Sequence, residues 1–150
     1  MLLSRVRMVV GGSACLVVAA RLLGQRSTHS RVAPGRVLLV YDDHCGLCDR
    51  AARFVTRRAT EELELVRFSE LPRAGVLENL DRAELFESAH FITADGVEYH
   101  RGESVTQAAR LLPGGQVAAQ LDRPVLRGLR EIGYWLVVWQ RERISRWLSG

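Results

Sequence analysis

Two cysteines three residues apart, Cys45 and Cys48, are the side chains here best suited to chemistry. A thiolate attacks a disulfide sulfur, and a second thiol within reach completes the exchange. The spacing therefore describes a reversible dithiol in which Cys45 attacks a partner's disulfide, a mixed disulfide forms, and Cys48 resolves it. Asp42, Asp43 and His44 come directly before the pair. Asp42 has two readings: a base that takes the proton of Cys48, or a turn residue that hydrogen-bonds the backbone near a helix start. Asp43 reads as a cap or a solvated acid. His44 would steady a Cys45 thiolate when protonated, or is an incidental loop histidine. Cys-x-x-Cys is also half of a tetrahedral zinc site, which needs two more ligands. His44, His90 and His100 are the candidates, and no second Cys-x-x-Cys exists. Exchange is the expectation, with no metal and no organic cofactor, because the electrons travel through the thiols.

The surrounding residues dictate where such a pair sits. Val37–Tyr41 is a short apolar run of the kind that forms a buried strand. Leu47, Cys48, Ala51, Ala52, Val55 and Ala59 then recur at steps of three and four, one face of a helix. Strand gives way to helix at the cysteines, with Cys45 expected in the first turn and Cys48 one turn further in. Unpaired N–H groups and the positive end of the helix dipole stabilise an anion there, so the Cys45 pKa is expected to fall.

The remaining pattern supplies the other layers. Leu63–Phe68 reads as a second strand, parallel to the first if the helix is the crossover. Pro72 and Gly75 mark a loop, and Val76–Phe86 has helical spacing. His90–Thr93 and Val97–Arg101 read as strands joined at Asp95-Gly96, the pair favoured in a type I′ turn. Gly102 ends the second of these. Ser104 with Gln107 three residues on spells a capping box for a helix stopped by Pro113-Gly114-Gly115. Pro124 opens a last helix, in which residues 132–139 are apolar nearly all round, a sign of packing on two sides. Its Trp-rich stretch followed by Arg141, Arg143 and Arg146 also fits a membrane surface or a partner.

Composition sets the limits. The chain has 150 residues, 47% hydrophobic and 25% charged, and a formal net charge of +4. Six arginines and no acid lie before Val37, so the excess charge belongs to that end and implies no nucleic-acid surface. Three cysteines are too few for a disulfide scaffold. Residues 1–35 read as a basic, apolar leader and linker (a signal, a targeting peptide, an anchor or an uncleaved extension), with the folded domain over 36–150. The apolar run Met8–Ala20 is short for a membrane span, which wants about 20 residues. Cys15 within it reads as an apolar filler. The expected location is cytoplasmic, with a membrane-anchored or targeted protein as the alternatives.

The element order β-α-β-α-β-β-α with the dithiol after the first strand is that of a thioredoxin-like α/β fold: a central mixed sheet flanked by helices, plus a C-terminal helical extension. Asp42-x-x-Cys45-x-x-Cys48 after an apolar strand resembles the signature of the DCC family of predicted thiol–disulfide oxidoreductases. The block Gly96-Val-Glu-Tyr99-His-Arg101-Gly102, then a helix ending Arg110-Leu-Leu-Pro113, is similar to that family's second block. Tyr134-x-x-Val137 leading to Arg141 and Ile144 is similar to its C-terminal block. The resemblance implies protein-disulfide reductase-type activity on protein or small-molecule disulfides, with the electron donor undefined. It brings in Tyr99, Arg101 and Gly102 as neighbours of the dithiol or, equally, as hairpin packing residues. Thioredoxins place a cis-proline before the strand facing the dithiol; Glu87-Ser88-Ala89 has none. The rival reading is a non-enzymatic module, associated with a partner or a membrane through the leader or the last helix, with structural or zinc-binding cysteines.

Overall fold

Leu38, Leu39, Val40 and Tyr41 are all buried, so their strand is covered on both faces and must lie inside the sheet. A computed structural model, describing residues 28–29, 33–71 and 88–149, shows the strand there. The elements are β1 (Thr28–His29), β2 (Val37–Tyr41), α1 (Gly46–Arg58), β3 (Leu63–Arg67), β4 (His90–Ile92), β5 (Val97–His100), α2 (Gly102–Arg110) and α3 (Pro124–Ser149). Short 3₁₀ turns cover Phe68–Glu70 and Gly115–Asp122. The strands form one mixed sheet in the order β1-β5-β4-β2-β3. β2 and β3 are parallel, with Leu39 opposite Leu65, and α1 is their crossover. β4 runs antiparallel to β2 and β5 antiparallel to β4. This is the α/β thioredoxin-like arrangement expected of the element order.

The period of two divides the core between the faces. Leu38, Val40, Val66 and Ile92 pack on one face with Leu71. Leu39, Tyr41, Leu63 and Phe91 form the other with Ala52 of α1 and Ala108 of α2. The first face also buries His90 and Glu98, whose Nδ1 and Oε1 lie 2.7 Å apart.

Several local expectations are corrected. β1 pairs Thr28 with Glu98 and His29 with Val97, so the sheet takes in part of the stretch read as linker. The β4–β5 turn is not type I′. Gly96 N–H donates to the Thr93 carbonyl, and in this turn positive φ falls on Gly96 alone, at 90°. Thr93 sets this geometry by accepting the Val97 N–H on its hydroxyl at 2.9 Å. α2 begins at Gly102, and Ser104 lies inside its first turn, donating to the Arg101 carbonyl at 2.6 Å rather than capping. Gln107 instead accepts from Arg110 at 2.9 Å.

Pro124 opens α3 as expected, but α3 is not packed all round. Ile132, Leu136 and Trp139 are exposed, Trp139 at 79%, and Trp147 is 82% exposed. One side of α3 meets α1 and α2; the other carries an apolar stripe outward. Among the described residues, no helix is long and apolar enough to cross a membrane. The leader run Met8–Ala20 and the helix read over 76–86 lie outside the described residues.

Candidate redox site

The sharp end of β2 places the dithiol. Asp42 leaves the strand, its carboxylate accepts the His44 N–H at 3.0 Å, and its carbonyl accepts the Cys45 N–H at 3.3 Å. That turn brings Cys45 to the N-cap of α1, one position earlier than the first turn expected for it. Its sulfur accepts the Cys48 N–H at 3.3 Å, the bond an N-cap serine hydroxyl usually takes. One orphan donor of the helix end is thereby spent on Cys45. Cys48 in turn points back, and the two sulfurs lie 2.6 Å apart. Both are free thiols, Cys45 buried and Cys48 half-buried. A disulfide requires about 2.05 Å, so closure needs a movement of well under an ångström.

The charges nearby act on Cys48. Burial pushes its thiol far up, reinforced by its hydrogen bond to Cys45, the Cys45 charge and the Asp42 carboxylate, with Arg141 opposing. Arg141 Nη1 lies 3.6 Å from Asp42 Oδ2. Asp43 is held below the usual carboxylate range, chiefly by the Ser69 hydroxyl, which donates to it at 2.7 Å. The His44 ring is 84% exposed, with Nδ1 3.7 Å from a carboxylate oxygen of both Asp42 and Asp43. Among the described residues, these three are the one cluster with metal-ligand spacing, and it contains neither cysteine.

The family-block residues are distributed unevenly. Gly102 lines the same cavity as Cys48. Tyr99 packs on Phe91 in the core beneath α1 and α2, ring centroids 6.5 Å apart, and burial raises its phenol. Arg101 is buried and caps α2 with φ of 57°, its guanidinium 5.8 Å from the Trp135 ring. Neither lines the cavities that reach the sulfurs.

α3 supplies what sequence reasoning did not assign. The Ser145 hydroxyl accepts the Gly46 N–H at 3.1 Å, fastening α3 to the start of α1. Cys45 shares an open cleft with Asp42, His44, Arg141, Ser145 and Arg146. Tyr134 stands beside Ala89, just before β4; burial pushes its phenol up to about 12, opposed by the Ala89 backbone. Ser88 and Ala89 line the Cys48 cavity at the position where thioredoxins have cis-proline, and no cis peptide occurs among the described residues. Glu131, fully buried, presses its carboxylate on the first residue of α2: a Cβ on Gly102 would come 2.7 Å from its Oε1. The sequence signals on α3 were its three-and-four periodicity and the family-like block from Tyr134 to Ile144, which give a face but not its contacts.

No curated protein and no solved structure matched the chain. A family model, DCC1-like thiol-disulfide oxidoreductase, matches residues 39–147, a span running from β2 through the dithiol to the last turns of α3. That span includes both thiols, and the chain is a member of the DCC1-like thiol-disulfide oxidoreductase family.

Proposed function

We propose that the chain is a thiol–disulfide oxidoreductase of the protein-disulfide-reductase type, with Cys45 attacking and Cys48 resolving. The reading rests on one observation: two free sulfurs 2.6 Å apart at the N-terminus of α1, one of them the helix N-cap. Burial keeps Cys48 a thiol, which leaves as the attacking sulfur Cys45, the helix N-cap that accepts the Cys48 N–H. Cys45 sulfur bonds to one sulfur of the substrate disulfide and the other leaves as a thiolate, which takes up a proton. Cys48 then gives up its proton, bonds to Cys45 and releases the second substrate thiol. The substrate gains two electrons and two protons, and the dithiol becomes a disulfide.

Asp42 is the base for the resolving proton in this scheme: its carboxylate lines the same cavity as Cys48, and its charge acts on that thiol. The zinc alternative lacks support from the geometry, since among the described residues no third ligand group clusters with the two sulfurs. Insulin reduction with dithiothreitol as donor tests the assignment. Cys45→Ser should abolish the catalysed rate, while Cys48→Ser should accumulate a mixed disulfide on Cys45, seen by mass spectrometry. Stoichiometric zinc binding without insulin reduction would overturn it.

A further inference from the structure

The two sulfurs open on spaces of different character. Cys45 faces the open cleft bearing Arg141, Ser145 and Arg146. Cys48 lies in the wall of a separate, strongly apolar cavity of about 440 Å³, enclosed by β2, α1, α2 and α3. Asp42 and Arg141 border both spaces, and the two sulfurs, one on each, lie 2.6 Å apart.

The size is that of a small-molecule site, several times the volume of one side chain. Two features of the wall point to an occupant. Gly133 sits in the middle of α3, where glycine costs about 1 kcal/mol relative to alanine. Yet nothing lies within 4 Å of where its Cβ would be, so packing does not demand glycine there; the absent side chain leaves cavity. Arg130 also lines the cavity, its side chain 5% exposed. Nη1 donates to Asp122 at 2.7 Å and Nε to Glu131 at 2.9 Å, but Nη2, buried, has no hydrogen-bond partner. A buried donor of that kind costs free energy until an acceptor meets it.

We propose that this cavity selects the substrate: a small disulfide with an apolar body on one sulfur, bearing a neutral hydrogen-bond acceptor at its far end. Glu131 already pairs with Arg130, and Asp122 is shared between Arg130 and Arg110, so a carbonyl or amide oxygen suffices. The inference rests on the exchange chemistry proposed above and fixes its direction. Cys45 bonds to the sulfur that carries the apolar body, and the hydrophilic half leaves through the polar cleft with the electron pair of the broken bond. The apolar half stays against Cys48, which displaces it in the resolving step.

The test uses the full chain carrying Cys48→Ser and an unsymmetrical disulfide of hydroxyethyl and octyl halves. A second probe has an octyl chain ending in a carboxamide. Mass spectrometry reads which half stays on Cys45, and the same disulfides with free cysteine give the intrinsic ratio. Retention of the octyl half should exceed that ratio about tenfold, as burial of a few methylene groups gives, and the carboxamide chain should exceed the methyl-ended one. Gly133→Phe should return the ratio to that of free cysteine; Val138→Trp, on the same wall, repeats the block should the first variant fail to fold. The intrinsic ratio in the Cys48→Ser protein, or enrichment that survives a folded cavity-filling variant, overturns the proposal. Equal retention of the two chains removes the acceptor from it. A folded protein that takes neither half onto Cys45 overturns the exchange assignment itself.

Discussion

Cys48 carries the clearest electrostatic consequence of any single side chain. Its folded thiol releases a proton at higher pH than an unfolded one, which titrates near 8.5. Above that pH the unfolded chain binds fewer protons than the folded one, so the reduced protein loses stability as pH rises. Chemical denaturation between neutral and alkaline pH should show this loss, and Cys48→Ala should flatten it. Asp42 gives the complementary prediction. Asp42→Asn removes a charge that opposes Cys48 ionisation, so the Cys48 thiol should titrate at lower pH. If the carboxylate also accepts the proton, the mixed disulfide on Cys45 should nevertheless persist longer in the variant. Rapid-quench trapping separates the two effects, and a shorter-lived intermediate would remove the base role. The dithiol itself was legible in the sequence because type and spacing alone specify it. The half-burial of Cys48 was not, because α3 arrives from nearly a hundred residues away.

Helix ends decide how well the elements hold the site. Glu131 places a carboxylate against the start of α2, where the dipole favours negative charge. The approach is so close that Gly102 has no room for a Cβ, with Glu131 Oε1 at 2.7 Å and Cδ at 3.0 Å. Gly102→Ala should therefore destabilise the protein by about 1–3 kcal/mol, the usual range for overpacking a core, measured as a lower urea midpoint. An unchanged midpoint would mean that Glu131 swings aside at no cost. Strands β2 through β5 and helices α1 and α3 followed from periodicity and Pro124, since each obeys its local pattern. The start of α2 did not, because Arg101 at φ of 57° turns the chain into the helix two residues before the serine that local rules favour as cap. The hairpin was legible from Asp95-Gly96; its turn type was not, because the Thr93 hydroxyl sets it.

At the scale of the whole molecule, the sheet separates two kinds of interior. The dithiol, its cavity and the three helices occupy one face, and the other buries His90 against Glu98 at 2.7 Å. Removing one partner of such a pair strands a polar group out of water. Glu98→Ala should cost about 3–5 kcal/mol, read from equilibrium denaturation, while Cys45 reactivity per folded molecule should be unchanged, since Glu98 belongs to the opposite face. Coupled loss of both would show that the faces are not independent. The exposed stripe of α3 was misread for a reason at this scale: its composition is that of a buried helix, and only the assembled molecule shows which side lacks a neighbour. Trp135, Trp139 and Trp147 are the chain's three tryptophans, and all belong to α3. Ultraviolet-excited luminescence of the native chain is thus a one-helix spectrum, with no indole elsewhere to dilute it. Any event that loosens or tightens the helix roofing the sulfurs will announce itself optically, without a label, as a change in colour or quenching.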